Sequence, residues 1–153
     1  MTQYCLALIA ICTVALCGMA EDQPKEDVQR IQGSWDWDPK ARQSDAEPVI
    51  LVERVVIKGD TLTIHYKMDG ERFTTPTKFT LNATASPREI DFTPTDKANS
   101  NFGKNYLGLY EVKEGQLKIC YRGPGSTRPK SFNDTFAGTD QTTFLVLKRA
   151  PGK

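Results

Sequence analysis

Between residues 49 and 148 apolar and polar side chains alternate over much of the chain, the period of a strand that turns one face to a core. Residues 61–68 show it most plainly: Leu62, Ile64, Tyr66 and Met68 fall on one side, and Thr61, Thr63, His65 and Lys67 on the other. Comparable runs occupy residues 34–38, 49–57, 72–81, 89–93, 106–112, 116–122 and 142–148. Tight-turn signals separate them: Lys58-Gly59-Asp60 as a three-residue hairpin connection with Gly59 at a left-handed bulge position, then Asp69-Gly70 and Glu114-Gly115. Pro76 marks a bulge or an edge, since proline donates no ladder hydrogen bond. Only residues 24–32 read as helix, with Pro24 at a first helical position, Glu26 and Asp27 in the first turn, Val28 and Ile31 on one face, and Gly33 as terminator. About eight short strands after one short helix predict an all-β domain, a small closed or nearly closed antiparallel up-and-down β-barrel. At that size a barrel is either just filled or holds one small ligand. The inward candidates Tyr66, Phe73, Phe79, Phe92, Leu109 and Phe144 are bulky, which favours filling.

The first residues change the picture by giving an address. Residues 5–17 are apolar apart from Thr13, shorter than the roughly 20 residues a membrane-spanning helix needs. Gly18-Met19-Ala20 supplies a small-x-small cleavage pattern, and Glu21-Asp22-Gln23 opens a polar chain. Residues 1–20 are therefore expected to be a signal peptide and residues 21–153 one exported domain, periplasmic or extracellular, although residues 1–4 lack the usual Lys or Arg. A lipid anchor on Cys17 is the weaker reading, because Leu16 stands where such signals carry a small residue. Loss of Cys5, Cys12 and Cys17 with the signal leaves Cys120 alone, so no internal disulfide forms and stability must come from packing. The 153 residues less 20 leave 133, enough for one domain, expected to be a monomer with no membrane span. A formal net charge of +1, with acidic and basic residues interspersed, gives nucleic acid no electrostatic foothold.

Several short motifs recur in an order that resembles a known family. They are Ile31-Gln32-Gly33-Ser34-Trp35, the hairpin from Lys58 to Ile64, Lys78-Phe79-Thr80-Leu81 with Pro87-Arg88-Glu89-Ile90-Asp91, Leu107-Gly108-Leu109-Tyr110-Glu111, Leu117-Lys118-Ile119-Cys120-Tyr121, Gly125 through Arg128-Pro129 to Phe132, and Leu145-Val146-Leu147-Lys148-Arg149. Together they look like the lipocalin-like domain expanded in planctomycete bacteria, across essentially all of residues 21–153. The resemblance implies a calycin-type barrel, often exported, and brings no catalytic residues with it. It also implies a barrel closure in which Gly33 and Trp35 form the G-x-W element and Arg149, with Lys148 second, stacks over the Trp35 ring. Trp37 departs from the pattern by adding an aromatic on the face of Trp35.

Candidate chemistry is sparse. His65 lies on the polar face of its strand, Cys120 alternates within one, and Asp36 and Asp38 share a face that reads as solvated rather than as a calcium site. With no zinc-ligand spacing, nucleophile elbow or phosphate loop, the chain is read as a non-enzyme with no catalytic residues, metal or cofactor. Gly123-Pro124-Gly125-Ser126-Thr127-Arg128-Pro129 opens a long irregular connection in which Arg128, Pro129 and Phe132, near Tyr121, Arg122 and Lys130, offer a surface for a protein partner. The simpler reading has this loop covering the barrel, with Arg128 on strand carbonyls or Glu111. Asn82-Ala83-Thr84 and Asn133-Asp134-Thr135 match the glycosylation pattern by coincidence. Two functions follow: a binding module holding a small apolar or amphipathic ligand near Trp35, Trp37, Tyr66 and Tyr110, or a ligand-free structural or interaction domain using the 123–132 loop. Intact mass of the exported protein should place its first residue at Glu21; a diacylated form beginning at Cys17 would replace the soluble reading with a tethered one.

Overall fold

The computed structural model describes residues 23–41, 50–134 and 142–151. Helix α1 (Gln23–Arg30) leads into β1 (Gly33–Trp37), and a short 3-10 turn follows at Pro39–Ala41. Strands β2 (Ile50–Lys58), β3 (Thr61–Met68), β4 (Glu71–Asn82), β5 (Glu89–Pro94), β6 (Tyr106–Lys113), β7 (Gln116–Arg122) and β8 (Thr143–Arg149) complete the described chain. Each strand pairs antiparallel with its neighbours in sequence and β8 returns to β1, so the eight strands close an up-and-down barrel. Residues 1–20, read as a signal peptide, lie outside the described residues.

Turn chemistry sets the register. Asp69 and Gly70 have φ of 51° and 83°, and Glu114 and Gly115 have 50° and 76°, the double positive φ of the two-residue turn whose twist matches the flanking strands. The β2–β3 connection is also two residues long rather than three, since Lys58 pairs directly with Thr61; Gly59 at φ 61° takes the positive-φ position and no bulge is needed there. Nor does Pro76 make a bulge. It sits in an unbroken β3–β4 register opposite Thr63, and its carbonyl accepts from the Thr95 amide on the other side, so its missing N–H costs the β3–β4 ladder nothing. The irregularity lies in β2, where Glu53 is extra between the pairs Val52–Tyr66 and Arg54–His65. That added residue lets Val52 and Val55 both turn toward the core.

The interior is filled by Trp35, Val55, Ile57, Leu62, Phe79, Ile90, Phe92, Tyr110, Val112, Leu117, Ile119, Leu145 and Leu147. Of the six expected inward residues only Phe79 and Phe92 are among them; Tyr66 and Phe73, stacked on each other at 5.6 Å, stand half-buried outside this cluster, and the other two face outward. With Tyr110 and Val112 facing in, Leu109 faces out, and with Leu145 and Leu147 facing in, Phe144 faces out. Both belong to a second apolar layer on the outer surface, beneath residues 123–134.

One end of the barrel is closed by α1 and the segment that follows it. Trp35 is 0% exposed, and its indole N–H donates to the Ile31 carbonyl at 2.8 Å. Arg149, directly opposite Trp35 in the β1–β8 ladder, lays its guanidinium 4.3 Å from the indole centroid. Its two terminal nitrogens donate to the carbonyls of Gln32 at 2.9 Å and Arg30 at 2.7 Å, satisfying groups that the end of the helix leaves open. Gly33 has φ 110°, and a Cβ there would meet the Arg149 guanidinium at 3.1 Å, so both backbone and space call for glycine. Gln32 fixes the helix to the β2–β3 turn: its amide donates to the carbonyls of Val28 and Gly59 and accepts from the Gly59 N–H at 2.7 Å. Beneath them Asp27, itself buried, accepts from the Tyr110 hydroxyl at 2.7 Å and pairs with Arg88 at 2.9 Å and Arg30 at 3.4 Å. Trp35→Ala should destabilise the fold by about 3–5 kcal/mol, the cost of emptying a fully buried aromatic site, and Arg149→Ala by less. Chemical denaturation followed by far-ultraviolet dichroism measures both, and an unchanged midpoint for Trp35→Ala would contradict this account of the closed end.

Candidate functional site

Among the described residues nothing caps the opposite end. The hairpin order places Ile50 at the start of β2, Tyr66 near the end of β3, Pro94 at the end of β5, Tyr106 at the start of β6 and Tyr121 near the end of β7 all at this mouth. They surround a cavity of about 160 Å³, whose wall is completed by Val52, Ile64, Thr75, Thr77 and Phe92. Phe92 is stacked on Tyr106 with centroids 5.3 Å apart and meets Tyr121 edge-on at 4.9 Å, while Tyr106 and Tyr121 are edge-to-face at 5.9 Å. Facing this aromatic wall are Ile50, Val52 and Ile64, with Tyr66 held against Phe73 at 5.6 Å. Ile50 is 51% exposed, one of two large apolar side chains so exposed among the described residues. Among the described residues no charged side chain lines the cavity. Burial pushes the Tyr106 and Tyr121 phenols up, Tyr121 to about 12, so both remain protonated hydroxyls at neutral pH.

Of the four aromatics expected around a ligand, only Tyr66 lines this cavity. Trp35 and Tyr110 belong to the closed end, where Tyr110 is committed to Asp27 and its phenol is raised well above its usual range, chiefly by burial and then by that carboxylate. Trp37 packs against the interior cluster without joining the cavity wall. The structure therefore does not bring the four together. Phe92, Tyr106, Tyr121, Thr75 and Thr77 take their place; of these the sequence pattern marks only Phe92 as an inward residue, and inward parity combined with the hairpin order is the signal that would find the others.

Residues 123–134 form a strap packed on the outer surface. Arg122, 2% exposed, anchors it by donating to the Thr127 carbonyl and hydroxyl at 3.3 and 3.2 Å and to the Thr142 hydroxyl at 3.1 Å, and by pairing with Asp134 at 3.0 Å. Arg128 donates to the Gly108 carbonyl at 2.7 Å and the Ile90 carbonyl at 3.4 Å, and pairs with Asp91 at 2.6 Å and Glu89 at 3.4 Å. Glu111 is not its partner, being paired with Lys118 at 3.1 Å. Pro129 is buried, and Phe132 meets Phe144 edge-on at 6.2 Å. Under this strap lies Cys120, 0% exposed, its sulfur 4.0 Å from the Ser131 carbonyl; burial pushes its thiol up to about 11.

Asp36 in β1 and Asp38 just beyond it are divided between different cations rather than sharing a solvated face. Asp36 accepts from Arg54 at 2.6 Å, whereas buried Asp38 pairs with Lys148 at 2.9 Å and accepts the Lys40 amide at 3.2 Å. That Lys148 hydrogen bond is the main reason the Asp38 carboxyl titrates below its ordinary range. His65 stands opposite Arg54 and Thr74 on the outer surface. Among the described residues no group of three or more His, Cys, Asp and Glu is placed to hold a metal ion, and no helix is long and apolar enough to cross a membrane. No family model, no curated protein and no solved structure matches the chain.

The Cys120 thiol should react slowly with Ellman's reagent in the native protein and rapidly after unfolding; equal rates would mean that the strap does not cover it. Because its folded pKa lies above its ordinary value near 9, the native state holds the proton longer than the unfolded chain does. Cys120 thus contributes stability that is complete below pH 9 and is lost as pH rises toward about 11, a decline that Cys120→Ala should lessen in denaturation curves across that window.

Proposed function

We propose that this chain is an exported binding domain that takes a small, uncharged, largely apolar ligand into the open end of its barrel. The cavity at that mouth carries the reading: a concave site walled by aliphatic and aromatic side chains, with a few hydroxyls and no charge, at the end opposite the tryptophan closure. Its volume of about 160 Å³ sets the scale of the occupant. Pockets for drug-sized molecules run to roughly 300–1,000 Å³, whereas a dry apolar cavity of about 150 Å³ accepts a single benzene ring. The domain accordingly suits a ring-sized molecule or a short chain rather than a long fatty acid. Export rests on the apolar stretch 5–17 and the Gly18-Met19-Ala20 pattern. The surface alternative has less to draw on, since Arg128 is engaged with Asp91, Glu89 and two strand carbonyls and Pro129 is buried.

Methyl-resolved NMR of the protein titrated with toluene should shift the Ile50, Ile64 and Val52 signals saturably and one-to-one, leaving Ile119 and Leu117 at rest. Ile64→Phe, which occupies the space with protein, should abolish the shifts. Flat titrations with toluene, indole and short-chain alcohols alike would sink the binding reading and leave the barrel a filled structural unit.

A further inference from the structure

Resting on that reading of the cavity, we infer that Thr75 makes it selective: the site takes a compact single-ring molecule bearing one uncharged hydroxyl or carbonyl group, which bonds the Thr75 hydroxyl. Each part of this specification comes from a wall of the cavity. Phe92, Tyr106 and Tyr121 hold one another in fixed stacked and edge-on contacts and present flat aromatic surface, which suits a planar ring better than a flexible chain. Among the described residues the cavity lining has no Lys, Arg, His, Asp or Glu, so an ionised ligand would leave water without meeting a counter-charge from them. Its volume of about 160 Å³ admits one ring with a small substituent.

Polar recognition then falls to the hydroxyls of the lining. Burial raises the Tyr106 and Tyr121 phenols, and Asn101 and Thr143 lie near enough to oppose that rise. Thr77, almost fully buried, turns its hydroxyl to the Thr75 carbonyl at 3.4 Å. Thr75 differs. It lines the cavity and is 9% exposed, yet its hydroxyl makes no hydrogen bond among the described residues. A hydroxyl on a rigid strand wall, able both to donate and to accept, offers a ligand oxygen in the cavity a bonding partner. Ile50, Val52 and Ile64 on neighbouring strands supply the apolar counter-surface that holds the ring beside it.

Toluene and phenol test this because they have nearly one shape and differ in a methyl against a hydroxyl. An apolar cavity without a free partner prefers toluene, since phenol's hydroxyl is desolvated without return. Calorimetric titration of the wild-type protein, Thr75→Val and Thr75→Ser gives the phenol-to-toluene affinity ratio for each. We expect Thr75→Val to lower that ratio about 10-fold while leaving toluene affinity nearly unchanged, and Thr75→Ser to preserve it, with benzoate bound by none of them. Retained toluene binding shows that the valine variant is folded. A ratio altered less than about threefold by Thr75→Val, with toluene still bound, overturns the selectivity and leaves the apolar binding site intact. Absence of binding by both toluene and phenol to the wild-type protein overturns the site and the selectivity together.

Discussion

Arg149 lying over Trp35 is the contact on which the architecture turns. An up-and-down sheet of eight strands has two free edges until its last strand meets its first, and unpaired edges invite association with other chains. Arg149 joins β8 to β1 by its place in the ladder, covers the indole face, and satisfies two carbonyls at the end of α1. The cation–π attraction, at about 0.5–2 kcal/mol, is modest by itself. Its effect is larger because the same side chain fixes strand order, helix position and the burial of the largest core residue.

Closing one end decides what the other end is. α1, Trp35 and the Asp27–Tyr110–Arg88 cluster occupy the lower barrel with a helix cap and paired charges, so no entry remains there. Toward the mouth the side chains are Ile, Val, Thr and stacked aromatics, and the extra residue at Glu53 resets the alternation of β2 so that both its halves face inward. Glu53 itself turns outward, where Lys67 and Arg72 pair with it at 3.4 and 3.2 Å. The interior is thus largely packed, with one ring-sized space left at the top. An eight-strand barrel sits at the boundary between filled and ligand-holding, and here a few side-chain volumes leave a cavity of about 160 Å³ at the mouth.

The strap of residues 123–134 shows how a barrel face becomes a second core. Leu109, Cys120 and Phe144 point away from the interior and would be an exposed apolar patch; Phe132 meets Phe144 edge-on and the Ser131 carbonyl lies over the Cys120 sulfur. Two arginines hold the strap with their charges answered, Arg122 by Asp134 and Arg128 by Asp91 and Glu89. Burying guanidinium groups is favourable only when carboxylates and carbonyls surround them, and both are so surrounded.

Local pattern alone specified a good deal of this protein. Period-two alternation delimited every strand to within a residue or so, because one face of each is buried and the other wet. Asp69-Gly70 and Glu114-Gly115 set two of the turns, because few sequences tolerate two successive positive φ values. The direction of Leu109 and Phe144 was not legible, since both are apolar whether they face the interior or a covered outer surface; only the strap distinguishes the two. Nor was the cavity wall legible from aromatic content: Trp35, Trp37, Tyr66 and Tyr110 share composition and inward parity, yet Trp35 and Tyr110 lie at the closed end and Tyr66 alone at the mouth. Alternation reports which face a residue occupies but not its height along the barrel axis or how fully its neighbours fill the space beside it. Those were decided by strand register and by the packing of side chains distant in sequence, which is why the site belongs to the tertiary structure while the barrel was already written in the chain.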